Sequence, residues 1–199
     1  MTRFTAILSG VLLLGGTVAQ AADKPAAAAA PPAAAAAPAT PPAPVPSPEV
    51  DALFKPYEGS WKCDTTFAAG AMGPGSPEMK MKSEVKIKKE AGGFWYKGDF
   101  KMKKSKMMPA MEATFLLGYD EATKAAVNVN YDSMGSFAIE HAPGATADKI
   151  TFAGDGHMMG MKTKIRETMA KTDPKTVEHT FEVDMGKGFQ PMGSDICKK

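Results

Sequence analysis

Along most of the chain after residue 60, apolar and polar residues alternate one by one. The clearest example is a stretch in which Met79, Met81, Val85 and Ile87 share one phase and lysines fill most of the other. Such alternation is typical of a β-strand with one buried and one solvated face. Gly-, Pro- and Asp-rich turns separate about ten such segments, at the spacing of an all-β sandwich or barrel.

No helical pattern in this region is long enough for a crossover between parallel strands. An antiparallel meander of hairpins is therefore the simplest arrangement, and closing it removes exposed sheet edges. The sequence thus predicts an all-β fold, a closed antiparallel meander β-barrel of about ten strands. Within it, Gly98 predicts a bulge or bend, Phe137 and Ile139 a short strand, and Gly154-Asp155-Gly156 a hairpin turn.

A short helix is predicted immediately before the first strand. Ser47 is placed as its N-cap, Pro48 in the first helical position and Glu49 near the positive helix end. Apolar residues recur at helical spacing and give the helix one apolar face: Val50, Leu53, Phe54 and Tyr57. Pro56 and Gly59 end the helix. The barrel is therefore expected to carry a short helix at its N-terminal side.

The segment before this helix has a different composition. Residues 1–21 contain Arg3, an apolar run from Ala6 to Gly16 and small residues up to Ala21, which predicts a secretory signal peptide. Residues 22–47 are almost entirely Ala and Pro and predict a disordered, semi-rigid spacer. Residues 48–199 are left for the barrel domain. Since the apolar run is too short to span a bilayer, we expect an exported protein of the periplasm or extracellular space without a transmembrane segment.

Charge is nearly balanced, with a formal net charge of +2 over 199 residues. Lysines nevertheless crowd the predicted outer face of two neighbouring strands: Lys80, Lys82, Lys86, Lys88, Lys101 and Lys103. One interpretation is a solvated face that discourages edge pairing. The other is contact with an anionic lipid or polysaccharide surface. Nucleic-acid binding is not expected, because the chain is predicted to be exported and its aromatic residues alternate inward.

The inward phase of the strands supplies candidates for a ligand cavity: Trp61, Phe67, Met81, Phe94, Tyr96, Phe115, Phe137, His179 and Phe181. A barrel lined in this way predicts a binding module for a small apolar or amphipathic molecule. In the alternative, the same side chains fill the interior of a structural or interaction domain. His179 shares the phase of Val177 and Phe181, so it is either a hydrogen-bonded interior residue or a ligand-binding one. No catalytic motif occurs, so no enzyme is indicated.

Methionine is unusually frequent, with 15 residues in the chain. One cluster adjoins a histidine: His157, Met158, Met159 and Met161. Thioether and imidazole groups in an exported protein suit Cu(I), so this cluster is a candidate copper site. Alternatively, flexible methionine side chains fill an irregular interior or line an apolar pocket.

The chain has two cysteines, Cys63 and Cys197. A disulfide between them is predicted, because export leads to an oxidising compartment and the first and last strands of a closed meander are neighbours. If Met192 and Ile196 point inward, Cys197 points outward while Cys63 shares the face of Trp61. In that case the bridge requires a bulge or a frayed end.

Two stretches of the chain resemble known families. Gly59-Ser60-Trp61, directly after a short helix, resembles the G-x-W opening of lipocalins and other calycins, in which the helix plugs one barrel end and the Trp packs beneath the cavity. The middle of the chain, from Leu117-Gly118-Tyr119-Asp120 to Tyr131-Asp132-Ser133-Met134, is similar to the bacterial domain-of-unknown-function family 1579. That resemblance covers roughly residues 50–197. It implies a calycin-like barrel and no particular function.

The related nitrobindin-type barrels bind haem through a His on the last strand. Residues 188–199, the last predicted strand, contain no His. The haem role is therefore not transferred, and no cofactor is predicted.

Overall fold

The computed structural model describes residues 41–158 and 160–199 and confirms the closed antiparallel barrel. A helix, α1 (Pro48–Phe54), and a 3-10 segment (Lys55–Tyr57) precede the strands, and a second 3-10 segment (Ala91–Gly93) lies between the second and third strands. The strands are β1 (Gly59–Phe67), β2 (Met79–Glu90), β3 (Trp95–Met102), β4 (Met111–Asp120), β5 (Ala125–Asp132), β6 (Phe137–Pro143), β7 (Lys149–Met158), β8 (Met161–Asp173), β9 (Thr176–Asp184) and β10 (Gln190–Lys198).

The predicted signal peptide and most of the spacer lie outside the described residues. Residues 41–47 have no regular secondary structure. Within the described part of the chain, no helix is long and apolar enough to cross a membrane.

Each strand pairs with the next along the chain, and β1 pairs with β10 to close the barrel. At this seam Cys63 lies directly opposite Cys197, and the two form a disulfide. The predicted conflict of phase is resolved by a register shift in β10 between Pro191 and Gly193. Because of this bulge, Met192 packs inward while Ile196 is exposed, and Cys197 is buried beside Cys63. The bridge thus forms with a bulge in β10, one of the two ways in which the sequence allowed it, and Ile196 faces outward.

The N-terminal helix closes one end of the barrel. Ser47 caps it by accepting a hydrogen bond from the Glu49 N–H. Its apolar face is buried against the barrel interior, where the Phe54 ring lies 6.3 Å from the Tyr96 ring. The following turn is fixed by Trp61, whose Nε1 donates to the Tyr57 carbonyl over 2.7 Å. The helix end of the barrel is therefore filled by a packed apolar core.

Methionines fill much of the opposite end. Met79, Met102 and Met108 are buried there against further apolar side chains: Phe67, Met72, Met81, Phe100 and Met111. We refer to these eight residues as the methionine-rich end. Methionine side chains are flexible and adapt to irregular spaces, so this end is more adaptable in its packing than the helix end.

At two places in the barrel, glycines allow close packing inside a strand and do not form the predicted bulge or turn. At Gly98 the register continues without a shift, and a Cβ would lie 1.9 Å from Cζ of Phe115. This glycine therefore makes room for an aromatic ring and does not form a bulge. Gly154 and Gly156 lie inside β7, where added Cβ atoms would lie 2.1 Å and 2.8 Å from carbonyl oxygens of β6. The predicted turn at 154–156 is therefore wrong, and the chain reverses between β7 and β8.

The sixth strand has a polar residue inside and large apolar residues outside. Ala138, Glu140 and Ala142 are buried on its inner face, whereas Phe137 and Ile139 are 48% and 52% exposed. The alternation of β6 is therefore inverted relative to an ordinary barrel strand. This inversion brings a carboxyl group into the barrel interior.

Candidate functional site

The barrel encloses a cavity of about 290 Å³. Its walls are mostly apolar and reach from Tyr57 and Trp61 at the helix end to Met108 and Met192 at the other. Five of the predicted cavity residues line it: Trp61, Phe67, Phe115, His179 and Phe181. Phe137 also borders the cavity, although half of its side chain is exposed and its ring stacks on His157 at 4.8 Å.

Three predicted cavity residues have other positions. Tyr96 is buried in the core at the helix end, and its hydroxyl donates to Asp51 over 2.9 Å. Met81 packs in the methionine-rich end. Phe94 precedes β3 and is half-buried.

A polar cluster crosses the wall of the cavity on β8, β9 and β10. His179 lies opposite Asp195, and its Nδ1 is 2.9 Å from Asp195 Oδ2. Its Nε2 is 3.7 Å from Glu167 Oε2. The His179 side chain is 26% exposed, and it borders the cavity. The inward histidine is therefore held between two carboxyl groups.

The cluster continues in both directions around the barrel. On one side, the Thr65 hydroxyl donates to Asp195 over 2.5 Å and lies 2.7 Å from the Ser83 hydroxyl. On the other side, Asn128 Nδ2 lies 3.3 Å from Glu167 Oε2 and 2.9 Å from Glu140 Oε2. Asn130 Nδ2 donates to the same Glu140 oxygen over 3.0 Å. Eight polar side chains thus form one connected network: Thr65, Ser83, Asn128, Asn130, Glu140, Glu167, His179 and Asp195.

The charge state of Glu140 follows from its surroundings. Burial, and then the charge of Glu167, raise the pKa of Glu140 to about 9, against the opposing effects of Asn128, His179 and Asn130. Glu140 therefore carries a proton at neutral pH. Because Oε2 accepts from both asparagines, the proton belongs on Oε1. Among the described residues, Glu140 Oε1 and Asn128 Oδ1 have no hydrogen-bond partner.

His179 has the opposite electrostatic setting. Burial alone lowers its pKa, but hydrogen bonds to Asp195 and Glu167 and the charges of both raise the pKa to about 10. His179 is therefore an imidazolium at neutral pH, and its charge is already engaged by two carboxylates.

The cavity wall carries more negative than positive charge. Asp132, Glu167 and Asp195 are its acidic residues and His179 is its cation. In the part of the chain that the structure describes, no Lys or Arg lines the cavity. The cavity wall is therefore mostly apolar, with more acidic than basic side chains among its polar residues.

Of the candidate copper residues, Met158 and Met161 lie opposite each other where β7 turns into β8, and His157 precedes Met158. His157 stacks on the half-exposed Phe137, and Met161 is 49% exposed, whereas Met158 borders the cavity. Met159 lies outside the described residues. Over residues 41–158 and 160–199, no group of three or more His, Cys, Asp or Glu side chains is arranged to hold a metal ion.

The lysine-rich outer face is largely ion-paired. Four of its six lysines have an acidic partner, in the pairs Lys80–Glu78, Lys82–Asp64, Lys88–Glu90 and Lys101–Glu112. All four lysine side chains are at least half exposed. These pairs reduce the positive potential of the face, as expected of a solvated surface.

Sequence reasoning found His179 but missed most of its network. Glu167 was detectable, since it shares the phase of Ile165 and Met169. Asn128, Asn130 and Glu140 were hidden, because on β5 and β6 the larger apolar residues occupy the outer face.

Comparison with known proteins identifies the family and the fold. A family model described as "Protein of unknown function (DUF1579)" matches residues 47–193. No curated protein matches the chain. Among solved structures, the chain is similar to Rv2717c from M. tuberculosis, with a TM-score of 0.60 and 14% identity. That match covers 78% of this chain and 99% of the other. At this identity the similarity concerns the fold alone.

Proposed function

Because this chain belongs to the DUF1579 family, whose description assigns no function, we propose from its cavity that the barrel is a binding module for a small apolar or amphipathic molecule. The observation that carries the proposal is the interior space of about 290 Å³ with mostly apolar walls. Ligand cavities are commonly apolar with a few polar groups that orient the ligand, and roughly 300 Å³ is near their lower size limit.

The two ends of the barrel support a binding role. The helix end is closed by packed side chains, including Phe54 and Tyr57, which are fully buried. The methionine-rich end is lined by adaptable side chains that can repack around an entering molecule. A purely structural barrel would gain stability by filling the interior, because unfilled space loses packing contacts.

We also propose that the protein acts after export. The predicted signal peptide and the disulfide between Cys63 and Cys197 support this location, since disulfides persist in oxidising compartments.

Fluorescence energy transfer to an apolar probe tests the binding function. The chain has two tryptophans, so a Trp95→Phe variant retains Trp61, which borders the cavity, as the single donor. N-phenyl-1-naphthylamine should bind saturably and accept energy from Trp61. Absence of saturable binding under conditions in which the protein is folded would contradict the proposal.

A cavity-filling variant locates the bound probe. Ala113 lines the cavity, so Ala113→Phe in the Trp95→Phe background should weaken probe binding at least about tenfold by occupying the same space. Ala153, exposed on β7, is the matched control, and Ala153→Phe should leave probe binding unchanged. Equal binding by the two variants would place the probe outside the barrel.

A further inference from the structure

We propose that the ligand carries a cationic amine, which binds the barrel wall at Asn128 and Glu167 with Glu140 directly behind them. This inference rests on the proposed binding function and adds the chemical class of the ligand. We refer to Asn128, Glu140 and Glu167 as the acidic pocket. Its members are joined by the Asn128 amide, which lies within 3.3 Å of both carboxyl groups.

The wall of the cavity carries a net negative charge beside the acidic pocket. Glu167 and Asp195 face a single cation, His179, at 3.7 Å and 2.9 Å. Glu140 is protonated and adds no charge, so the connected network holds two carboxylates against one imidazolium. A buried negative charge without a counter-ion is costly. A ligand ammonium group would supply the missing positive charge.

The acidic pocket also contains a buried oxygen that lacks a hydrogen-bond donor among the described residues. Asn128 is 3% exposed and lines the cavity, and its Oδ1 has no donor among the described residues. A buried acceptor without a donor is rare. Glu140 is fully buried, and its Oε1, which carries the proton and has no partner, becomes a second acceptor once that proton is lost. An ammonium group is a pure donor with three N–H bonds, so it matches Asn128 Oδ1 and the ionised Glu140 in both charge and hydrogen bonding.

The proton on Glu140 is consistent with this reading. Without a neighbouring ligand cation, burial and the charge of Glu167 raise the pKa of Glu140 to about 9. A bound ammonium group would act in the opposite direction and favour the carboxylate. Binding of an amine at neutral pH should therefore displace a proton from Glu140 into the solvent.

A carboxylate headgroup is disfavoured by the same arrangement. No Lys or Arg lines the cavity among the described residues, and the single cation, His179, is already engaged by Asp195 and Glu167. An anionic head would add a negative charge to an acidic wall. A neutral alcohol would satisfy the hydrogen bonds without compensating the charge.

Three ligands of eight carbons each, with different headgroups, separate the effect of the headgroup from that of the alkyl chain. Octylamine, 1-octanol and octanoate are titrated into the protein by calorimetry at neutral pH, in two buffers of different ionisation enthalpy. We expect octylamine to bind at least about tenfold more tightly than 1-octanol, because it adds a buried charge pair. Octanoate should bind most weakly, and only octylamine should show a buffer-dependent enthalpy that reports proton release.

Charge-neutral variants test the acidic pocket. Glu167→Gln and Glu140→Gln should each weaken octylamine binding at least about tenfold and weaken 1-octanol binding much less, and Glu140→Gln should abolish proton release. Glu178→Gln is the matched control, since Glu178 is exposed on the outer face of β9 beside His179. Circular dichroism and the melting temperature establish that each variant is folded. If one Gln variant does not fold, the other alone suffices to compare octylamine affinity with the wild type.

The outcomes separate this inference from the binding function. Octanoate or 1-octanol binding as tightly as octylamine would overturn the amine and leave the binding module intact. Equal octylamine affinity in wild type, Glu167→Gln and Glu140→Gln would do the same. If the apolar probe and all three alkyl ligands fail to bind the folded protein, the binding function itself is wrong.

Discussion

At the scale of single residues, Glu140 is the side chain whose environment departs most from water. It is fully buried, protonated at neutral pH and bonded through one oxygen to two asparagines. Its folded-state pKa of about 9 lies far above the usual value of 4.5. The folded protein therefore holds a proton that the unfolded chain releases, and the free energy of unfolding falls as the pH rises between these values.

His179 contributes to the same pH dependence. Its folded-state pKa of about 10 exceeds the ordinary value of 6.5, so its stabilising contribution is complete below pH 6.5 and is lost as the pH rises towards 10. Between pH 6.5 and 9, both groups lower the stability of the fold as the pH rises.

Replacing Glu140 separates the two contributions. Gln keeps the shape of the protonated acid, accepts from both asparagines and cannot ionise. Glu140→Gln should raise the free energy of unfolding at pH 8 by up to about 5 kcal/mol and flatten its decline with pH, with no gain below pH 4.5. Urea unfolding across this pH range measures the effect, and Glu178→Gln serves as control. An unchanged pH slope would contradict the assignment of Glu140.

At the scale of elements, the packing of α1 against the barrel involves two buried tyrosines whose hydroxyl groups differ in hydrogen bonding. Tyr57 and Tyr96 are both buried, and burial raises the pKa of Tyr57 to about 12. The Tyr96 hydroxyl donates to Asp51 of α1 over 2.9 Å, whereas the Tyr57 hydroxyl has no partner among the described residues. Both rings therefore pack at the helix end of the barrel, but only the Tyr96 hydroxyl gains a hydrogen bond there.

Removing each hydroxyl should have opposite consequences. Tyr96→Phe should lower the free energy of unfolding by about 1 kcal/mol, because Asp51 loses a donor. Tyr57→Phe should leave stability unchanged or raise it slightly, because it removes a buried polar group without a partner. Thermal unfolding of the two variants side by side measures the difference. Equal losses would show that the Tyr57 hydroxyl has a bonding partner in solution.

The elements were far more predictable from sequence than the site. Strands such as β2 can be predicted from sequence because their buried face is apolar and their outer face is charged. The pattern fails where packing overrides it: Gly98 was predicted as a bulge or bend but accommodates the Phe115 ring. Phe137 borders the cavity as predicted, although half of its side chain is exposed. Glu140 was missed, since an inward acid between two alanines carries no hydrophobic signal.

At the scale of the whole molecule, the seam between β1 and β10 determines whether the sheet is a barrel. Backbone pairing joins the two strands from Lys62–Lys198 to Phe67–Gly193, and the disulfide spans 134 residues of sequence. A crosslink across such a long loop restricts the unfolded chain strongly. The seam therefore combines ordinary strand pairing with a covalent bond.

Removing the disulfide should weaken the barrel without opening it. The double variant Cys63→Ala, Cys197→Ala should lose about 2–5 kcal/mol of unfolding free energy, while its circular dichroism spectrum stays that of the wild type. Reductant should lower the stability of the wild type to the level of the variant and leave the variant unaffected. Equal stability of the two proteins without reductant would show that the bridge does not form in solution.

The position of the seam also determines when during folding the barrel can close. The chain is delivered N-terminus first, so β1 to β9 are available before β10, the strand that closes the barrel against β1. During that interval β1 has one unpaired edge and Cys63 is a free thiol. Completion of the barrel therefore waits for the final strand, and a chain stalled before residue 190 would lack the strand that pairs with both β1 and β9.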